Sequence, residues 1–316
     1  MDDRTKERLR DALPLTALLV IIAVIAIAEP GFIRPSNLLT VTADTMTLFL
    51  MASGATLVIM LGSIDLSIQA VASMTSCIVA ALLPDYGVWA IPAALAAGAI
   101  SGVISGISVN QLRIPSFIAT LAVSGIVTTV AYIASGTRSV FIDAQTSGRY
   151  LWWAAGETAG VENEIFVGIA GLVFLSVVLS LTLFGRLVRA VGSQERAVIA
   201  SGVNVDRVKL LAFVLSGFMA GLAGIVMAAR LGSGSPTLAN EFLLPAIACI
   251  IVGGTALTGG VGSIWKTFVG ALIIAVVRIG MTFVGVSVFA QQIVFGVILV
   301  AAVAVTMDRS KVAIVK

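Results

Sequence analysis

The sequence contains few side chains that catalyse reactions or bind metals. It has no histidine and only two cysteines, Cys77 and Cys249, each within an apolar run. Without imidazole there is no ordinary general base near neutral pH. Two distant cysteines match neither a CxxC metal site nor a disulfide framework. We therefore expect no enzyme activity and no cofactor, and we interpret both cysteines as small buried apolar residues.

One segment nearly matches a nucleotide-binding loop. Residues 260–267, Gly-Val-Gly-Ser-Ile-Trp-Lys-Thr, approach the pattern GxxxxGKT, but Trp265 occupies the position of the second glycine. An indole at that position prevents backbone N–H groups from surrounding a phosphate, and the segment links two apolar runs instead of following a strand. Any use of ATP must then depend on a partner chain.

A first interruption of the apolar pattern combines glycine, hydroxyl groups and a carboxyl group. Residues 61–67 include Gly62, Ser63, Asp65 and Ser67. An ionisable residue at membrane depth indicates a functional site, and irregular backbone is tolerated there only where protein or a water-filled cavity covers it. Two interpretations stay open: a gate or pore-lining turn, and an N-cap in which the Asp65 side chain begins the following helix.

A second interruption lies in the other half of the chain. Residues 252–263 are rich in glycine and threonine, and they include Gly253, Gly254 and Thr255. Such a run cannot form a regular helix at low cost. Because paired interruptions in two halves of a transporter indicate a transport path, we interpret both segments as candidate path or gate residues.

A polar segment between two apolar runs predicts a docking site for a soluble partner. Residues 192–204 predict a short helix that Ser193 caps at its N-terminus and Gly202 terminates. The segment is too short and too polar to bind strongly to a lipid surface. The candidate coupling residues are Gly192, Ser193, Glu195, Arg196, Ala200 and Gly202.

These candidate sites must be positioned by membrane-spanning helices. The chain has 316 residues, 59% hydrophobic and 11% charged, and a mean hydropathy of +1.11. This composition excludes a water-soluble enzyme, a disordered protein and a nucleic-acid-binding protein. We predict an all-α integral membrane protein of one domain, residues 1–316, with about ten transmembrane helices. The predicted spans are residues 13–28, 42–61, 66–83, 88–109, 116–135, 165–184, 208–230, 242–261, 264–283 and 288–307.

The distribution of Lys and Arg predicts the orientation. With the N-terminus inside and ten spans, fourteen of the 19 basic residues face the cytoplasm, four face outward and one lies within a span. This asymmetry matches the positive-inside rule and places both termini in the cytoplasm. A signal peptide cleaved near residues 26–28 is the alternative to a retained first span. The predicted connections are cytoplasmic tails at 1–12 and 308–316, an outer loop at 136–164 and a cytoplasmic coupling loop at 185–207.

Glycines spaced four residues apart predict close helix packing. Gly98, Gly102 and Gly106 share one helix face, and Gly217 and Gly221 repeat the spacing. Small residues at this spacing let helix backbones approach each other closely in lipid.

Several motifs together resemble one family. Residues 58–67, VIMLGSIDLS, resemble the pattern VIxxGGIDLS of the ribose-type ABC sugar importer permeases. Residues 113–121, RIPSFIATL, resemble the family's PxFIxTL segment, and residues 185–203 resemble its cytoplasmic coupling segment. Residues 241–263, with VGGT and LTGG, resemble its most specific stretch. The matches follow the family's order over nearly the whole chain.

The resemblance implies a subunit of a larger importer in the bacterial inner membrane. It implies about ten helices in two related, inverted bundles, and a path formed by two permease chains as a homodimer or heterodimer. Cytoplasmic ATP-binding subunits would dock on the coupling segment. An outer sugar-binding protein would deliver a monosaccharide or related polyol.

Some positions depart from the family pattern, which leaves the sugar undefined. The alternative function is an ion-coupled secondary carrier of a small polar solute, which would use the intramembrane charges of Asp44, Asp65 and Arg278. The departures are Ser63, Gln111, residues 192–195 and Trp265–Lys266.

Overall fold

The computed structural model describes residues 15–16, 18–27 and 29–306. The predicted tails, residues 1–12 and 308–316, and the last residue of the predicted cleavage site lie outside this part. The described chain is mostly helical. Its α-helices are α1 (Leu18–Ile27), α2 (Pro35–Met60), α3 (Ile68–Tyr86), α4 (Ala90–Asn110), α5 (Ser116–Ser135), α6 (Ala144–Tyr150), α7 (Asn163–Leu181), α8 (Leu183–Ala200), α9 (Val205–Leu231), α10 (Leu243–Val252), α11 (Ile264–Phe283) and α12 (Val288–Thr306).

Six segments of the described chain are long and apolar enough to cross a membrane. One of them, residues 68–110, contains α3 and α4 in succession, joined by a single 3-10 turn at Gly87–Trp89. Shorter apolar helices lie at Leu18–Ile27, Asn240–Val252 and Phe289–Ala301. A mostly helical membrane protein is confirmed, and four two-residue strands among the described residues depart from the all-α prediction.

Both predicted interruptions are present. The first separates α2, which ends at Met60, from α3, which begins at Ile68. The second follows α10 and extends to Ser263, so the predicted span 242–261 is helical only as far as Val252. The ten residues of α10 rise about 15 Å, which is half of a hydrocarbon core of about 30 Å.

The segment predicted as a coupling loop is largely helical. Helix α8 runs from Leu183 to Ala200 and has one break at Gln194, where φ is −159° and ψ is 81°. The prediction that Ser193 is the N-cap is therefore wrong by one residue. Gly202 follows the end of the helix with a φ of +83°, as expected of a terminating glycine.

The long connection at residues 136–164 is ordered by short elements. Strand β1 (Val140–Phe141) pairs antiparallel with β4 (Ser233–Gly234), and β2 (Glu157–Thr158) pairs with β3 (Val161–Glu162). Asp143 caps α6 by accepting a 2.9 Å hydrogen bond from the Thr146 N–H. Hydrogen bonds from Thr146 lower the pKa of this exposed carboxyl group.

Helices α2 and α9 lie at the centre of the described bundle. Nearly all of α2 beyond Val41 is buried, and α9 packs against α2, α3 and α4. The close backbone packing predicted for these glycines is confirmed, because a Cβ atom at Gly98 would lie 2.6 Å from the Gly217 carbonyl oxygen and one at Gly102 would overlap the Phe213 carbonyl oxygen. The backbones of α4 and α9 therefore touch.

We predict that Gly102→Ala lowers the stability of the folded chain by about 2 kcal/mol, because the added methyl group meets backbone that cannot change rotamer. The check is a thermal unfolding curve of the detergent-solubilised protein. Gly125→Ala on α5 is the matched control, since no atom lies within 4 Å of its added Cβ. Equal unfolding temperatures for the two variants would contradict the packing described for α4 and α9.

Candidate functional site

Three backbone segments meet where the helices are interrupted. The Gly260 N–H donates a 2.8 Å hydrogen bond to the carbonyl oxygen of Met60. A Cβ atom at Gly259 would lie 2.9 Å from both the Gly192 oxygen and the Gly62 nitrogen, and one at Gly192 would overlap the Met60 oxygen. Only glycine allows this approach. We call this contact the glycine junction, formed by residues 60–62, 192–193 and 258–260.

Asp65 anchors the first interruption to α9. Its side chain is 3% exposed. One carboxyl oxygen accepts hydrogen bonds from the Ser67 N–H at 2.9 Å and the Ser67 hydroxyl at 2.6 Å. The other accepts a 2.8 Å hydrogen bond from the hydroxyl of Ser216 on α9. The carboxyl group thus connects two elements that are distant in sequence.

The interpretation of Asp65 as the N-cap of α3 is wrong. The N-cap of α3 is Ser67, which makes no side-chain cap, and Asp65 bonds to that residue instead of to the first turn of the helix. Ser216 was not among the residues predicted from the sequence. The pattern that could have indicated it is a hydroxyl residue within the mostly apolar helix α9, seven residues after Lys209.

Hydroxyl groups of α5 satisfy the backbone of the first interruption. The Ile64 N–H donates to the Ser116 hydroxyl at 3.0 Å, and the Leu66 N–H donates to the Thr120 hydroxyl at 3.0 Å. Ser63 is also buried, whereas Gly62 is exposed. This non-helical backbone therefore obtains hydrogen-bond partners from protein, as backbone groups shielded from solvent require.

The selected residues of the second interruption lie beside α11, away from the glycine junction. Gly253 is in backbone contact with Gly270, and Gly254 is exposed with a φ of +88°. Thr255 is 1% exposed, and its N–H donates to the Ile250 carbonyl oxygen at 3.1 Å. Within the described chain its hydroxyl has no hydrogen-bond partner. Gly259 and Gly260, which sequence analysis did not select as site residues, make the contact with the first interruption.

One side of the candidate coupling segment contacts the rest of the chain, and the other side is exposed. Gly192 lies in the glycine junction, and the ammonium group of Lys209 on α9 is 2.6 Å from a carboxylate oxygen of Glu195. Ser193, Arg196, Ala200 and Gly202 are exposed. The segment is therefore fixed to both interruptions and to α9, while much of its surface is free to contact another molecule.

A group of charges occupies the opposite end of α9. Arg230 forms ion pairs with Asp44 of α2 and, at 3.1 Å, with Glu164 of α7. Glu164 is 3% exposed and also accepts a 3.3 Å hydrogen bond from the Thr47 hydroxyl. We call Asp44, Glu164 and Arg230 the ion cluster. Because removal of one member of a buried pair leaves a charge uncompensated, the cluster holds the N-terminal end of α7 and the C-terminal end of α9 against α2.

The remaining intramembrane charge is stacked on an aromatic ring. The guanidinium of Arg278 lies 4.6 Å from the centre of the Phe242 ring, at cation–π distance. Within the described residues, no group of three or more His, Cys, Asp or Glu side chains could hold a metal ion.

Apolar spans, two protein-covered interruptions and a polar segment held against them define a membrane permease. The chain belongs to the family described as "Branched-chain amino acid transport system / permease component", which matches residues 37–303. It is therefore a permease subunit of an ABC importer and a multi-pass protein of the bacterial inner membrane.

Curated relatives match over most of their length. The chain is 36% identical to the ribose import permease protein RbsC of Escherichia coli over 306 residues, which cover 95% of each chain. It is 33% identical to the RbsC of Bacillus subtilis, covering 94% of this chain and 92% of the relative. It is 31% identical to the L-arabinose ABC transporter permease protein AraH of Azospirillum brasilense, covering 90% and 84%. The resemblance to ribose-type permeases is confirmed.

We predict that Gly192→Ala pushes apart the segments of the glycine junction, since its methyl group would overlap the backbone of Met60 and Gly260. The free energy of unfolding should fall by about 3 kcal/mol. Limited proteolysis of the purified chain should show faster cleavage between residues 185 and 205. Gly148→Ala in α6 is the control, because its Cβ would meet no atom within 4 Å. Identical cleavage patterns would show that the junction tolerates the added atom.

Proposed function

We propose that the chain forms the membrane path of an ATP-driven, binding-protein-dependent importer of a monosaccharide or a related polyol. The names of its relatives, which specify ribose and L-arabinose, support a sugar substrate. The observation that carries the proposed mechanism is the glycine junction, which places the coupling segment in direct backbone contact with both helix interruptions. Movement of that segment would change the packing of the path during alternating access.

We propose ten spans in two related, inverted bundles, with both termini in the cytoplasm. The Lys and Arg asymmetry supports this orientation. In it, α10 and the non-helical residues 253–263 together form one interrupted span. The similar positions of the two interruptions, one after α2 and one after α10, support an inverted relation between the halves.

ATP-binding subunits are proposed to dock on the exposed side of the coupling segment. Arg196 provides an exposed charge there, and Ala200 and Gly202 leave room for a partner surface. Hydrolysis of ATP takes place in those subunits, since this chain has no complete nucleotide-binding motif.

On the opposite side, residues 136–164 are proposed to face a soluble sugar-binding protein. A cavity of about 210 Å³ opens there, and the three carboxyl groups of Glu157, Glu162 and Glu164 line it. A second permease chain, identical or different, completes the path.

An ion-coupled carrier receives less support from Asp65. Both oxygens of this carboxyl group are engaged by Ser67 and Ser216, so the group is not available to bind a coupling ion without losing these bonds.

Purification of the tagged chain from its own membranes in mild detergent, followed by mass spectrometry, tests the proposal. We expect an ATP-binding subunit to co-purify, and we expect membrane vesicles to import labelled sugar when ATP is present and all ion gradients are collapsed. Uptake that depends on an ion gradient and not on ATP would establish the carrier instead.

We predict that Arg196→Glu weakens co-purification of the ATP-binding subunit about tenfold, because reversing an interfacial charge creates unfavourable contacts. The stability of the chain itself should not change, since Arg196 is exposed. Quantitative pull-down and thermal unfolding measure the two effects. The control is Arg113→Glu, at an exposed arginine between α4 and α5. An equal loss with the control would indicate a general effect of surface charge.

A further inference from the structure

Three polar residues along one side of helix α9 each form a hydrogen bond or an ion pair with another element, and we call these contacts the attachments of α9. Lys209, Ser216 and Arg230 are separated by seven and fourteen residues. In an α-helix these positions stay within about 60° of one another around the axis. Lys209 and Arg230 are about 32 Å apart along the helix, which is close to the thickness of the hydrocarbon core.

Each attachment holds a different part of the protein. Lys209 pairs with Glu195 of the coupling segment at 2.6 Å. Ser216, which has no exposed surface, donates to Asp65 in the first interruption at 2.8 Å. Arg230 holds α2 and α7 through the ion cluster. One helix therefore connects the coupling segment, the first interruption, helix α2 and the N-terminal end of α7.

The helix between these attachments is continuous. It comprises 27 residues from Val205 to Leu231, and the sequence over this range contains no proline. Kinks in helices arise mainly at proline, at Gly/Ser pairs or at comparable defects. Helix α9 contains the pair Ser216–Gly217, but it is helical throughout and its Gly217 and Gly224 pack against α4 and α3. A continuous helix of this kind can pass a displacement of one end to the other. The glycine junction also joins the coupling segment to the end of α2 and to both interruptions, but it does not include the ion cluster.

We propose that α9 is the element that transmits movement of the coupling segment to the first interruption and to the ion cluster. This inference rests on the proposed function, in which ATP-binding subunits move the coupling segment. Lys209 and Ser216 are positioning residues in this mechanism: they hold α9 to the parts that it moves and need not touch the sugar.

The first test removes the attachment at Asp65. The complete importer, with its ATP-binding subunits and binding protein, is reconstituted in liposomes, and sugar imported per ATP hydrolysed is measured. We expect Ser216→Ala to lower this ratio about tenfold while ATP hydrolysis continues, a factor in line with the ordinary strength of a hydrogen bond to a carboxyl group. The matched control is Ser53→Ala, since Ser53 is equally buried but bonds only to the carbonyl oxygen of Leu50 in its own helix.

The second test exchanges the charges of the attachment at the coupling segment. Lys209→Glu places two carboxylates together and should also lower the ratio. The double variant that also carries Glu195→Lys has an ion pair of reversed polarity. We expect it to recover most of the sugar imported per ATP hydrolysed. Unfolding temperatures of these variants are measured alongside, and a ratio that falls and recovers while the unfolding temperature stays constant excludes an effect of general stability alone.

The outcomes separate this inference from the proposed function. If the unmodified importer shows no ATP-dependent uptake, the proposed function fails. If it imports sugar but Ser216→Ala matches Ser53→Ala and the charge exchange gives no rescue, transmission through α9 is wrong. Should Ser216→Ala unfold the chain, the charge exchange decides, because Lys209 and Glu195 are partly exposed and their replacement does not open a buried site.

Discussion

The structure depends on one constraint: backbone N–H and C=O groups within a bilayer need partners from the protein. Two segments of this chain leave helical geometry between apolar helices, and each would be unfavourable if lipid surrounded it. The first obtains hydrogen bonds from Ser116 and Thr120, and Gly260 of the second donates to Met60 at the start of the first. Mutual coverage explains why these segments contact each other and why glycines lie between them.

Ion pairs are few among the described residues, and they mainly involve α9. The ion cluster at one end and the Lys209–Glu195 pair at the other join α9 to its neighbours, whereas hydroxyl groups make most of the polar contacts between. Hydroxyls suit this role because leaving one unpaired costs less than leaving a buried charge unpaired. Elements that rearrange during transport can then exchange hydrogen bonds without exposing an isolated charge to lipid.

The sequence predicted the apolar helices, both interruptions and close backbone packing at the glycines of α4 and α9, because each follows from a local pattern of apolar or small residues. The end of α10 at Val252 agrees with the predicted interruption at residues 252–263, where glycine and threonine replace the apolar run. No local sequence pattern predicts the break at Gln194. The break accompanies contacts of Gly192 and Ser193 with Met60 and Gly260, which are distant in sequence. The pairing of Asp65 with Ser216 joins residues 151 positions apart, so it depends on the rotation of α9 within the bundle.

The short length of α10 has an electrostatic consequence. A helix carries a partial negative charge of about half an elementary charge at its C-terminus, and α10 ends after ten residues, a rise of about 15 Å. The residues just before that end, Cys249 to Ile251, are buried, so solvent screens its negative potential weakly. An anion close to Val252 would be repelled, whereas an uncharged group would meet no comparable barrier. A short helix can thus place a negative potential inside a bundle without any charged side chain.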